Sequence, residues 1–240
     1  MTILPYKNHF ASKNMTKIKK QIPKLSVFQT FKTKNKELTG EAMRQRGIIT
    51  HLVSETLPTR KTRTAIAHKL AEQNGTTWQN IYSGIFRDLD EILLPLELVI
   101  EAGRLPIKRG PKALQEQGVP YYQLTDSGLL VAASVSNTEK ERMRIMNDFF
   151  EKESNTKEKD LKKAIITLLD VAPNFVLLLL QKYIESYSDG TIDKLVPFNS
   201  EYIKKAFDDA LHVQRELLEG FSSLSNSDRE PIMSLLKKIG

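Results

Sequence analysis

The sequence predicts a mainly helical chain carrying one small β-hairpin, and three observations support that expectation. Apolar residues recur at helical spacing through most of the 240 residues. One segment, residues 121–124, is instead strand-like, mixing aromatic and apolar side chains around a single polar position. It runs directly into Thr125, whose hydroxyl suits the cap of a helix with an apolar run from Leu129 onward.

Composition narrows the functional classes. Forty per cent hydrophobic residues suffice to bury a core in one or two domains. The absence of cysteine excludes disulfides and thiolate metal sites and suits an intracellular protein. His9, His51, His68 and His212 show no pairing at ligand spacing, so neither a metal nor another cofactor is expected. The longest apolar run, residues 175–180, is too short to span a bilayer, and no cleavable leader follows the start. A cytoplasmic protein without a membrane partner is expected. No phosphate-cradling or dinucleotide-binding glycine motif is present, and no nucleophile stands with a base, so no enzymatic activity is expected.

The positive charge is concentrated. Residues 1–36 hold nine lysines and no acid, residues 37–135 balance to zero, and the remainder carries a net charge of −2. The tail, taken as 1–37, has no sustained period and is expected to lack structure. It reads either as a solvated charge run or as an arm for phosphates. The absence of arginine argues against an organellar transit peptide, and Met15 is an alternative start.

The helices follow in order. Met43, Ile48, Ile49, Leu52 and Val53 mark a first helix ending near Pro58. Ile66, Ala67 and Leu70 mark a second over 61–73, stopped by Asn74-Gly75. A third, about 77–90, opens with Thr76 and Gln79 at capping-box spacing. Its inner stripe is Trp78, Ile81, Tyr82, Ile85 and Leu89, and its other face shows Gln79, Asn80, Ser83, Arg87 and Asp88. Pro95 breaks the pattern. A strand over 104–107, a basic turn at 108–112 and a return strand over 119–124 complete the hairpin. Beyond it lie helical segments over 127–135 and 138–152, a polar stretch at 151–160, and four helices over 161–169, 174–187, 200–218 and 228–238. Residues 176–180 are apolar on all sides, which implies burial in the chain's own bundle or at a subunit contact.

Three helices followed by a basic hairpin describe a winged helix-turn-helix, placed at 38–136, with an all-helical region at 137–240. The segments Thr64-Ala-Ile-Ala-His-Lys-Leu70, Leu98-Val-Ile-Glu-Ala-Gly103 and Tyr122-Gln-Leu-Thr-Asp-Ser-Gly128 resemble winged-helix transcriptional regulators of the MarR and PadR kind. The resemblance covers a little over a third of the chain. It implies that the first segment lies in the second helix, that the middle one ends the recognition helix, and that the last joins the final wing strand to the next helix. The stretch 77–103 and the loop 108–118 are longer than that pattern needs.

The expected function is a DNA-binding transcriptional regulator on double-stranded DNA, with helix three in the major groove and the wing, about 104–124, on the backbone or minor groove. Gln79, Asn80, Ser83 and Arg87 are side-chain types that read base edges, with Thr77 beside them. Arg60, Lys61 and Arg63 at the second helix, and Lys108, Arg109 and Lys112 in the wing, are expected at phosphates. Trp78 reads as a core anchor and His68 as a surface or scaffold residue. The groups Asp88/Asp90/Glu91 and Asp208/Asp209/His212 read as solvated helix faces. The C-terminal helices are expected to pair two copies in a homodimer or to contact a protein partner. The alternative from another class is an adaptor that uses the same scaffold without touching DNA. A small-effector sensor with a pocket among the C-terminal helices is a third reading.

Overall fold

The computed structural model describes residues 23–32, 35–106, 118–152, 158–207 and 210–239. Thr39 caps helix α1 (Gly40–Ser54) by accepting the Ala42 amide at 3.1 Å. The inward face of α1 is Ala42, Gln45, Ile48, Ile49 and Leu52. Met43, expected on that face, is exposed, because it lies about 100° beyond Ala42, the edge of the stripe 42, 45, 48, 49, 52. A 3₁₀ turn (Pro58–Arg60) leads to α2 (Arg63–Gln73). This helix starts later than its apolar pattern suggested, because the Thr62 hydroxyl caps it by accepting the Ala65 amide. Gly75, at φ +61°, turns the chain out of α2 as anticipated.

Helix α3 (Trp78–Arg87) runs into a single π-helical turn (Asp88–Leu93). Strands β1 (Val99–Leu105) and β2 (Val119–Leu124) then pair antiparallel, with Val99 opposite Leu124 and Leu105 opposite Val119. The first strand therefore begins well before residue 104, and the segment 98–103 belongs to the hairpin instead of closing a helix. The reason is local. Pro95 lacks an amide donor, Glu97 adopts φ +54°, and the reversed chain brings the β-branched Val99 and Ile100 into the ladder. The basic turn at 108–112 lies outside the described residues.

The Thr125–Gly128 junction joins both arms of the hairpin to α4 (Asp126–Val135). The Thr125 hydroxyl accepts the Gly128 amide at 3.1 Å and donates to the Glu97 carbonyl at 2.6 Å. Its amide donates to the Leu98 carbonyl at 3.1 Å. A side chain at Gly128 would collide with that carbonyl, so only glycine allows α4 to start so close to β1. Helix α4 is buried from Gly128 to Val135 and packs on α1, α5 (Glu139–Lys152) and α7 (Pro173–Ser188). Helices α4 and α5 are separate, and Arg142 locks their corner. Its buried guanidinium donates to the carbonyls of Ala133 (3.3 Å) and Ser136 (3.0 Å) at the end of α4.

The remaining helices are α6 (Lys159–Val171), α8 (Ser200–Phe207), α9 (Ala210–Ser223) and α10 (Asn226–Ile239). The single helix expected over 200–218 is described as α8 and α9, flanking residues 208–209, which lie outside the described set. In α7, Val176, Leu179 and Leu180 face inward while Leu178 is exposed, so that apolar run is covered on one side only. One continuous hydrophobic core extends from α1 through α4 to the ring cluster of Phe149, Phe150, Tyr183 and Phe198. Leu25 and Val27 join that core, so part of the segment expected to lack structure is anchored. The Ser26 amide donates to Gln45 Oε1 at 2.9 Å, and Arg46 Nε donates to the Val27 carbonyl at 2.5 Å. Residues 1–22 lie outside the described set. Among the described residues no helix is long and apolar enough to cross a membrane.

Candidate functional site

Helix α3 presents two opposed faces. Ile85 is buried, and Trp78, Ile81 and Tyr82 pack partly buried against the core. Trp78 stands edge-on to Tyr82 at 5.6 Å between ring centroids, and the His68 imidazole lies 5.1 Å from it. On the opposite face Gln79, Asn80, Ser83, Phe86 and Arg87 are all exposed, at offsets 0, 1, 4, 7 and 8. No acidic residue occurs between Trp78 and Arg87. Thr77 is the N-cap and is exposed, but its side chain makes no capping bond. The Thr76/Gln79 capping box does not form, because the Thr76 hydroxyl accepts the Asn80 side-chain amide at 3.3 Å.

Two ion pairs tie the end of α3 to neighbouring helices, and Arg87 Nη2 adds a contact of 3.9 Å to Asp88 within the turn. Asp88, expected on the solvated face, is 0% exposed. Arg44 of α1 reaches it with Nε at 2.8 Å and Nη2 at 3.5 Å. Burial pushes the Asp88 carboxyl above its usual range, and the Arg44 hydrogen bond and charge oppose that rise. Gly84 sits beneath this pair, where a Cβ would come within 2.7 Å of Arg44 Nε. The second pair joins Arg63, in the first turn of α2, to Asp90. The Arg63 guanidinium carbon lies 4.5 Å from the Phe86 ring centroid and 5.3 Å from that of Tyr122. Burial drives the Tyr122 phenol up to about 12, and its hydroxyl is buried without a hydrogen-bond partner within the protein.

The hairpin is fastened beside the same helices. The Tyr122 amide donates to the Lys61 carbonyl at 3.1 Å, and Thr62 forms a bridge with Tyr121. Thus the start of α2, the end of α3 and β2 converge around Arg63, Phe86 and Tyr122.

The sequence-predicted residues fall into distinct groups. Thr77, Gln79, Asn80, Ser83 and Arg87 stand exposed along α3. Arg63 is turned inward, its side chain 25% exposed and committed to Asp90. Arg60 is exposed and pairs with Glu55 at 3.5 Å. Lys61 lines a cleft of about 240 Å³ with Glu55, Arg144, Asp148 and Lys152, away from the α3 row. Burial lowers its ammonium pKa, opposed by Glu55 and reinforced by Lys152. Lys108, Arg109 and Lys112 lie outside the described residues. Phe86 was missed by its polarity, although its spacing of seven from Gln79 places it on the exposed row. Among the described residues no cluster of His, Asp and Glu is placed to hold a metal ion. Asp88 and Asp90 are taken up by Arg44 and Arg63, while Asp208 and Asp209 lie outside the described set. In comparisons with known proteins, no family model, no curated protein and no solved structure matches the chain.

Proposed function

We propose that this chain is a DNA-binding transcriptional regulator, a winged helix in which α3 enters the major groove and the hairpin forms the wing. The observation that carries the reading is the acid-free row Gln79, Asn80, Ser83, Phe86 and Arg87, exposed on a helix whose other face packs against the core and whose end is held by buried or half-buried ion pairs. Amide and guanidinium side chains can read adenine and guanine edges in two-point fashion, and this rigid mounting limits the entropy lost on binding. Arg63 acts as a brace in this reading, while Arg60, with Lys108, Arg109 and Lys112 of the wing, supplies phosphate contacts. The lysine tail adds sequence-independent affinity through counterion release. Exposed leucines on α9 and α10 pair subunits or hold a protein partner.

The adaptor reading keeps one specific observation in its favour. Lys61 lines the cleft beside α5 and not the α3 row, and Arg60 is paired with Glu55. Selection from random duplex DNA at two salt concentrations separates the readings. The regulator predicts an enriched motif whose binding weakens steeply with salt. Gln79→Ala with Asn80→Ala should lower affinity for that motif by about 1–3 kcal/mol per lost two-point contact while sparing non-specific binding. No enrichment and no retention at low salt would leave the adaptor.

A further inference from the structure

Phe86 is the one large apolar side chain among the polar groups of the α3 row, and it is 45% exposed. One side of the ring is covered by Arg63, and the rest is open to water among side chains that donate and accept hydrogen bonds. Its mounting is specific. Arg63 lies over the ring at 4.5 Å, and Arg63 is itself held by Asp90 and flanked by Tyr122. A guanidinium on the ring restrains it at little entropic cost and leaves its remaining surface facing outward. Phe86 follows Ser83 by one helical turn and directly precedes Arg87, so it shares their groove.

We propose that Phe86 reads thymine, its ring packing against the C5-methyl group of a base pair in the major groove. The proposal rests on α3 being the DNA-contacting helix. The methyl is the apolar feature that base pairs display in that groove, so an apolar ring among donors and acceptors has a single complementary base. The neighbouring polar side chains then read the flanking pairs, and Arg63 positions the ring without touching DNA.

The test uses the full-length chain and a duplex obtained by selection from random sequence. Each thymine of that duplex is replaced in turn by deoxyuridine, which removes the methyl and leaves every hydrogen-bonding edge intact. At one or two positions the wild-type chain should bind about fourfold more weakly, the equivalent of ~0.8 kcal/mol for one buried carbon group. Phe86→Ala should lose affinity for the thymine duplex and become indifferent to uracil at those positions, with Phe86→Leu retaining part of the discrimination. If no thymine shows methyl dependence in the wild-type chain, or if Phe86→Ala keeps it, the proposal is overturned while sequence-specific binding stands. If no sequence is selected at all, the DNA reading itself fails and the proposal falls with it. If Phe86→Ala does not fold, Phe86→Leu makes the same comparison: methyl dependence undiminished in Phe86→Leu overturns the proposal, and a reduced dependence at the same positions supports it.

Discussion

Replacing Arg44 by methionine should expose how α3 is held. Asp88 is 0% exposed, whereas the Arg44 side chain is 23% exposed, so the two partners are not equivalent. Without Arg44 the carboxylate stays buried and has lost its main counter-charge. Removing one partner of such a pair costs about 3–5 kcal/mol, and the partial exposure of Arg44 places the expectation near the lower end. For a chain of this size that corresponds to a fall in melting temperature of about 6–12 °C. Asp88→Asn should cost only about 1 kcal/mol, because Arg44 still reaches water and the amide still accepts a hydrogen bond.

The pH dependence carries a definite sign. Burial raises the folded pKa of Asp88 above 3.8, and losing Arg44 raises it further. Between the unfolded and folded pKa values the native state holds the extra proton, so stability falls as pH rises through that window. The deficit of Arg44→Met relative to wild type should therefore be largest at about pH 7 and shrink toward about pH 4. Urea unfolding of wild type, both single variants and Arg44→Met/Asp88→Leu at those two pH values is the assay. The apolar double variant should recover most of the loss. An equal deficit at both pH values, or a larger loss for Asp88→Asn than for Arg44→Met, would refute the assignment of Asp88 as a charge dependent on Arg44.

Three further expectations concern other parts of the molecule. Gly128→Ala should destabilise by about 1–3 kcal/mol in thermal or urea unfolding, because its Cβ meets the Leu98 carbonyl at the α4 junction. Arg142→Ala should cost about 2–3 kcal/mol by the same assays, since it leaves the Ala133 and Ser136 carbonyls at the end of α4 without their charged donor. Leu217→Glu combined with Leu235→Glu should leave the circular dichroism spectrum and melting temperature nearly unchanged, as both side chains are exposed in the single chain. If those leucines pair subunits, sedimentation equilibrium will show the double variant shifted to monomer; unchanged mass would remove them from any self-association.

Features governed by nearby residues were legible in the sequence. The α3 stripe of Trp78, Ile81, Tyr82, Ile85 and Leu89 depends on helical periodicity, and the structure turns that side to the core, burying Ile85 and Leu89 and partly burying the other three. Thr125 as the cap of α4 rests on one hydroxyl and an amide three residues away. The order of three helices, a hairpin and further helices follows from the same short-range signals. Where a residue's partner lies far along the chain, local pattern failed. Residues 99–105 form a short run compatible with helix or strand, and only pairing with 119–124 decides between them. Asp88 falls on a polar helical face by spacing, yet Arg44, 44 positions earlier, draws it into the interior.

Arg63 looked like a free cation at a helix start until tertiary packing set Asp90, Phe86 and Tyr122 around it. The sequence by itself determined which faces of the helices are apolar and where they are capped, because those properties depend on neighbours within about one turn. Only the tertiary structure decided which charges are taken up by partners far along the chain, as Asp88 is by Arg44 and Arg63 by Asp90. Desolvation and ion pairing depend on what the rest of the fold brings within a few ångströms.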